Sequence, residues 1–141
     1  MLTTLLVLSM NAAPIPVELG KSIAGIRVGM TRAEVLKLRR LEPEGIERAE
    51  RTGYVSGPLL ILFTPQDTVA LVSVELQKTA GLRVGTVKIP PKISAADFAA
   101  KLPKCTVSDG SGGHAVHCEA GLDAYGSYGD TFLVWVHLGP G

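Results

Sequence analysis

Charge is scarce in this chain and nearly cancels: 14 basic and 13 acidic residues among 141, 19% charged in all, leave a net charge of +1. Globular proteins carry about a quarter charged residues. So weak a field offers a phosphate backbone nothing to hold, which argues against nucleic acid as a partner. No apolar run reaches the roughly 20 residues that a membrane-spanning helix needs, so no transmembrane segment is expected in the mature chain. The sequence holds no phosphate loop, dinucleotide fingerprint or paired-carboxylate motif. No cofactor, no resident metal and no catalytic residue are therefore expected. Cysteine is limited to Cys105 and Cys118.

What remains is a globular composition, 46% hydrophobic, with 16 glycines and 9 prolines. These favour many turns and short elements over long helices. The length suits one domain with its own core and is too short for two. The first 13 residues read separately. Leu2 to Met10 is nearly all apolar or small, no charged side chain precedes Glu18, and Asn11-Ala12-Ala13 approximates a small-residue cleavage site. This is the h-region of a secretory signal, although no Lys or Arg stands before it. The alternative is a buried N-terminal strand or helix of a cytosolic protein. Export is the expectation, giving a signal segment at 1–13 and a single domain at 14–141. No cysteine lies near the cleavage site to accept a lipid.

Lys21 to Gly29, Lys-Ser-Ile-Ala-Gly-Ile-Arg-Val-Gly, recurs one residue shorter as Lys78 to Gly85, Lys-Thr-Ala-Gly-Leu-Arg-Val-Gly. A helix-start signal follows each copy, which implies two degenerate helix-then-strands units, roughly 20–77 and 78–141. In the first, Thr31-Arg32-Ala33-Glu34 fits a capping box. The helix it opens has Val35, Leu36, Leu38 and Leu41 as its apolar side, cations near its C-terminal end, and Pro43 and Gly45 as its stop. Glu42 to Arg51 alternates in sign and reads as a solvated loop or face rather than a binding patch.

Tyr54 to Thr64, broken at Gly57-Pro58, and Thr68 to Leu76 are predicted as strands of a hairpin, with Ala70, Val72, Val74 and Leu76 facing inward. In the second unit Leu82 to Ile89 reads as a strand, and Ser94 caps a short helix carrying Phe98 and Leu102 inward. Lys104 to Ser108, His114 to Glu119 and Thr131 to Leu138 are further strands, the first two joined across Asp109 to Gly113. Runs of adjacent strands after each helix argue for an α+β fold: an antiparallel sheet, shared by both halves, with two short helices packed on it.

An even pair of cysteines in an exported chain is read first as a disulfide. A symmetric hairpin closed by Asp109 to His114 sets Cys105 opposite Cys118 and Val107 opposite Val116, all on one face. Zinc held by Cys105, His114, His117 and Cys118 is the rival reading, but His117 would point to the other face. Free thiols, with a Cys-His nucleophile, are the third. The glycine-flanked Ser111 is most simply part of a turn, and His137 a hydrogen-bonded sheet histidine beside Leu133 and Trp135. Gly121 to Gly129 combines Tyr, Ser and Gly as protein-binding loops do. Its plainer reading is a hairpin connection whose tyrosines cover the sheet edge.

Gly25-Ile26-Arg27-Val28-Gly29-Met30-Thr31-Arg32-Ala33-Glu34-Val35 resembles the opening of small envelope domains, the outer-membrane assembly lipoproteins of the SmpA/OmlA type and the β-lactamase inhibitory proteins. The likeness covers about eleven residues, with a weaker echo at Gly81 to Leu102. It implies a first helix packed on an antiparallel sheet, and nothing in it carries catalysis. The chain departs from the pattern in having no lipidation cysteine and in the interposed Thr86 to Ile93.

The function expected is that of a secreted or periplasmic, non-enzymatic protein-binding module, inhibitor-like or immunity-like. Tyr125, Tyr128 and Trp135 are its candidate contacts. A structural accessory of the cell envelope is the alternative, and an enzyme using the Cys/His region is the third choice.

Overall fold

The computed structural model describes residues 13–48, 51–110, 113–127, 129 and 131–139. The expected signal segment, except for Ala13, and Tyr128 lie outside these residues. The fold is α+β: twelve strands and two short α-helices, with a 3-10 turn at Leu76–Lys78, among the described residues. No helix there is long and apolar enough to cross a membrane.

The chain opens with β1 (Ile15–Glu18) and β2 (Ser22–Ile23), followed by α1 (Arg32–Leu38). Four strands come next: β3 (Glu42–Arg48), β4 (Arg51–Ser56), β5 (Leu59–Phe63) and β6 (Val69–Glu75). The second half repeats this order with β7 (Leu82–Val84), β8 (Val87–Ile89) and α2 (Ala95–Lys101). Then follow β9 (Cys105–Gly110), β10 (Gly113–Cys118), β11 (Leu122–Gly126) and β12 (Trp135–Leu138). Each set of four is an antiparallel meander, and the two meet through their last strands in one eight-stranded sheet, β3-β4-β5-β6-β12-β11-β10-β9. The leading segments form a smaller sheet, β2-β1-β7-β8, in which β1 and β7 run parallel. The sequence repeat is also a conformational one, because Gly25 and Gly29 share positive φ with Gly81 and Gly85.

Core packing follows the alternation of the strands. Leu59, Ile61 and Phe63 of β5, Val72 and Val74 of β6, Val136 and Leu138 of β12, and Leu122 and Ala124 of β11 are all buried. They form one cluster with Phe98 and Leu102 of the α2 region and with Ile23, Leu82 and Ile89 of the small sheet. Burying one such side chain contributes roughly 1.5–3 kcal/mol. The inward set expected on β6 is buried, but Val69 and Ser73 are buried with it.

Both helices start where the caps place them. Thr31 and Glu34 form the capping box, and the Ser94 hydroxyl accepts from the Asp97 amide. Reciprocal bonding by Thr31 holds the Glu34 carboxyl below its ordinary range, the backbone hydrogen bond being the larger cause. Arg32 then ties α1 to the sheet: Nη1 donates to the Tyr54 hydroxyl at 2.7 Å, and Nη2 pairs with Asp67 at 2.6 Å. Its guanidinium lies 4.6 Å from the Tyr54 ring centre.

Several local expectations are corrected. Helix α1 spans only seven residues, and of its apolar side only Val35 is buried; Leu36 and Leu38 are 53% and 55% exposed. Of the two readings of this run, loop or solvated face, the loop is excluded for Glu42–Arg48, which is a strand. It is the edge of the sheet, where a strand pairs on one side only, needs no apolar alternation and tolerates Pro43. Gly57-Pro58 does not interrupt a strand but turns β4 into β5, whose residues pair from Thr52↔Phe63 to Ser56↔Leu59. Leu82 to Ile89 is likewise a hairpin, folding between Val84 and Val87. The Gly121 to Gly129 connection contains a full strand, β11, paired on both sides.

Candidate functional site

The hairpin register expected for the cysteines holds: Cys105 pairs with Cys118 and Val107 with Val116. Cys105 and Cys118 form a disulfide, with an S–S distance of 2.03 Å. With both sulfurs in that bond, neither serves as a zinc ligand or as a thiolate nucleophile. Among the described residues no group of three or more His, Cys, Asp or Glu is placed to hold a metal.

The second meander presents two cross-strand rows on the face opposite the core, because residues directly paired across strands point the same way. One row runs Ser108, Ala115, Tyr125, Trp135, Glu75. The next runs Thr106, His117, Asp123, His137, Ser73. Tyr125 and Trp135, far apart in sequence terms, are therefore direct neighbours, and Tyr125 is 42% exposed. His137 completes an aromatic group, its ring centre 5.0 Å from that of Tyr125 and 6.4 Å from that of Trp135, nearly parallel to the indole. Gly126 is required here, since a Cβ at that position would lie 3.0 Å from the Phe132 carbonyl oxygen. That close approach brings the segment before β12 against β11, where the Val134 amide donates to the Tyr125 carbonyl.

Polar groups of this hairpin are held in specific pairs, His117 with Asp123 on the open face and His114 with Asp109 on the face of Val107 and Val116. His117 Nδ1 donates to Asp123, and His114 Nδ1 donates to Asp109, each at 2.5 Å. Burial pushes the His137 imidazole below its ordinary value near 6.5, against a smaller opposing pull from Asp123. Burial, and secondarily Asp123, push the Tyr125 phenol up. His137 lies in the sheet beside Trp135 as expected, but its Nδ1 is buried without a partner, as is the Ser73 hydroxyl beside it. Asp123, His137 and Ser73 follow one another across three strands, but this is no nucleophilic triad. Asp123 bonds His117 instead, no bond joins His137 to Ser73, and Ser73 is 0% exposed.

A cavity of about 390 Å³ opens at the end of the first row, lined by Asp109, His114, Ala115, Tyr125, Trp135 and neighbouring backbone. Its setting in the sequence is distinctive. All 14 Lys and Arg precede Cys105, whereas residues 105–141 carry Asp109, Glu119, Asp123 and Asp130 and no Lys or Arg. The four strands that bear the aromatic face are thus without a cation of their own. Glu75, at the far end of the row, is engaged by Lys78 at 3.3 Å.

Of the three candidate contacts, the fold brings Tyr125 and Trp135 together, and Tyr128 lies outside the described residues. The Asp109–His114 pair and the His117–Asp123–His137 row are not among the sequence expectations, which weigh His114 and His117 only as neighbours of the cysteines and His137 only as a sheet histidine beside Leu133 and Trp135. Once β11 is counted as a strand, alternation alone places them. The chain matches no family model, no curated protein and no solved structure.

Proposed function

We propose that this protein is an exported, non-enzymatic binding module that grips a protein partner through the open face of its second meander, as an inhibitor or immunity-type neutraliser does. The observation that carries the reading is the Tyr125–Trp135–His137 group, three adjoining rings on a sheet face turned away from the core. Aromatic anchors of this kind dominate interface energetics. Export is supported by the disulfide, a bond that persists in oxidising compartments. The apolar segment at Leu2 to Met10 supports it as well. The local likeness of Gly25 to Val35 to envelope domains with a helix on an antiparallel sheet agrees with this reading, although it assigns no partner.

The test is capture of a partner from the periplasmic or extracellular fraction of the source cells by the immobilised, oxidised protein. Hot-spot aromatics each contribute about 2 kcal/mol or more, so replacing Tyr125, Tyr128 and Trp135 together by alanine should weaken capture at least about a hundredfold. Undiminished capture by the triple variant removes this face from the proposal.

A further inference from the structure

We propose that β9 pairs antiparallel with β9 of a second copy of this chain, about a two-fold axis at Val107, joining two eight-stranded sheets into one. Among the described residues β9 pairs with β10 alone, in an unbroken register from Gly110↔Gly113 to Cys105↔Cys118. Along an antiparallel strand, residues that exchange backbone hydrogen bonds with the neighbour alternate with residues that do not. The Glu119 amide donates to the Lys104 carbonyl, so Lys104, Thr106, Ser108 and Gly110 direct their backbone groups to β10. The N–H and C=O of Cys105, Val107 and Asp109 therefore point to the open edge.

The other sheet edges carry the devices that keep an edge from pairing. Strand β3 contains Pro43 and a register shift between Pro43 and Glu47. Strand β2 is two residues long, and β8 is three with Lys88 in the middle. Strand β9 has none of these: six residues, no proline, no Lys or Arg, and no bulge. Its one charge, Asp109, is turned back onto β10 by the bond from His114 Nδ1. The Cys105–Cys118 bond fastens the strand to its neighbour, so the edge is organised before anything binds it. Near its middle, Val107 is 42% exposed.

A second copy is the occupant because β9 complements itself, as a two-fold interface requires. The register centred on Val107 engages all three outward residues of both strands. Each Val107 then lies opposite its own counterpart and covers its exposed side chain. On the open face Thr106 lies opposite Ser108, a hydroxyl pair of the kind that stabilises cross-strand neighbours. Asp109 lies opposite the neutral Cys105, so the two carboxylates stand four residues apart along the strands. That is roughly 13 Å, beyond the ~8 Å screening length, and no like charges meet. The two-fold stands perpendicular to the sheet, so the Tyr125–Trp135 faces of both copies look the same way. The inference goes beyond the binding reading and does not depend on it, but it makes the module bivalent.

Sedimentation equilibrium of the oxidised protein over about 1–500 µM should show a reversible monomer–dimer equilibrium with a midpoint in the micromolar range, as suits a small interface. Val107→Lys sets two ammonium groups directly opposite one another and should leave a monomer throughout. Val107→Pro removes an N–H that points to the open edge, so the fold should tolerate it while the dimer is lost. Leu36→Lys, at an exposed position on α1, should dimerise as the parent does. Hydrogen exchange reads the register. The amides of Cys105, Val107 and Asp109 should exchange fast in dilute protein and at least about tenfold more slowly in the dimer, while those of Thr106 and Ser108 are protected in both. A monomer at every concentration, a dimer that survives both Val107 variants, or a dimer in which those three amides still exchange fast overturns the inference.

Discussion

Reducing the Cys105–Cys118 bond tests how the edge of the sheet is held. Strand β9 pairs only with β10, and five of its six residues are exposed, so little burial pins it. The bond joins residues 13 apart, and in the chain-entropy treatment opening a loop of that length destabilises the fold by about 3 kcal/mol. For a chain of this size, that lowers Tm by roughly 10 °C. Reduction serves better than mutation, since Cys118 is 0% exposed and Cys105 partly buried, and reduction leaves both sulfurs in place. The assay is thermal unfolding with and without a phosphine reductant, paired with hydrogen exchange. The amides of β9 should lose protection first, ahead of those in β5 and β6 at the centre of the sheet. A melting temperature that moves by less than about 3 °C, with β9 as protected as β6, would refute the reasoning.

Other outcomes follow from single contacts. Arg32→Ala removes the bond to Tyr54 and the cation–π contact and should cost about 2 kcal/mol, whereas Asp67→Asn, at an exposed carboxylate, should cost less than about 1 kcal/mol; urea unfolding separates them. At Gly81, where φ is +100° and a Cβ would lie 2.3 Å from the Ile89 carbonyl oxygen, alanine should destabilise by more than about 2 kcal/mol. Alanine at Gly85, with φ +61° and open space around it, should cost about 1 kcal/mol. Because burial lowers the folded pKa of His137, the unfolded chain binds its proton first. The contribution of His137 is full above the ordinary value near 6.5 and falls as pH drops through 6.5 towards the folded pKa, and His137→Gln should flatten that part of the stability profile.

The sequence was most informative where a local rule acts alone. Thr31 and Ser94 cap their helices because the N-cap depends on one side chain and the next few amides. The cysteine pairing followed from alternation across a short turn. Edge and turn behaviour were harder to see. Glu42–Arg48 looks like a solvated segment because an edge strand needs no apolar face, and Leu122–Gly126 looked like a loop because its glycines flank only three side chains of any size. Missing β11 hid the site itself. Without that strand, Tyr125 had no register with Trp135, and Asp123 had none with His117 or His137. The burial of Leu36 and Leu38 was overestimated for a related reason. An apolar stripe buries only where something covers it, and of the short helix α1 only Val35 is buried.

The most direct measurement places a photoreactive phenylalanine analogue at Tyr125 and, in a second protein, at Leu36, an exposed apolar position on α1. Both are irradiated in the extracellular or periplasmic fraction of the source cells. If the second meander is the binding face, position 125 yields a discrete protein adduct and position 36 yields none. An adduct from position 36 alone, equal adducts from both, or none from either would contradict it.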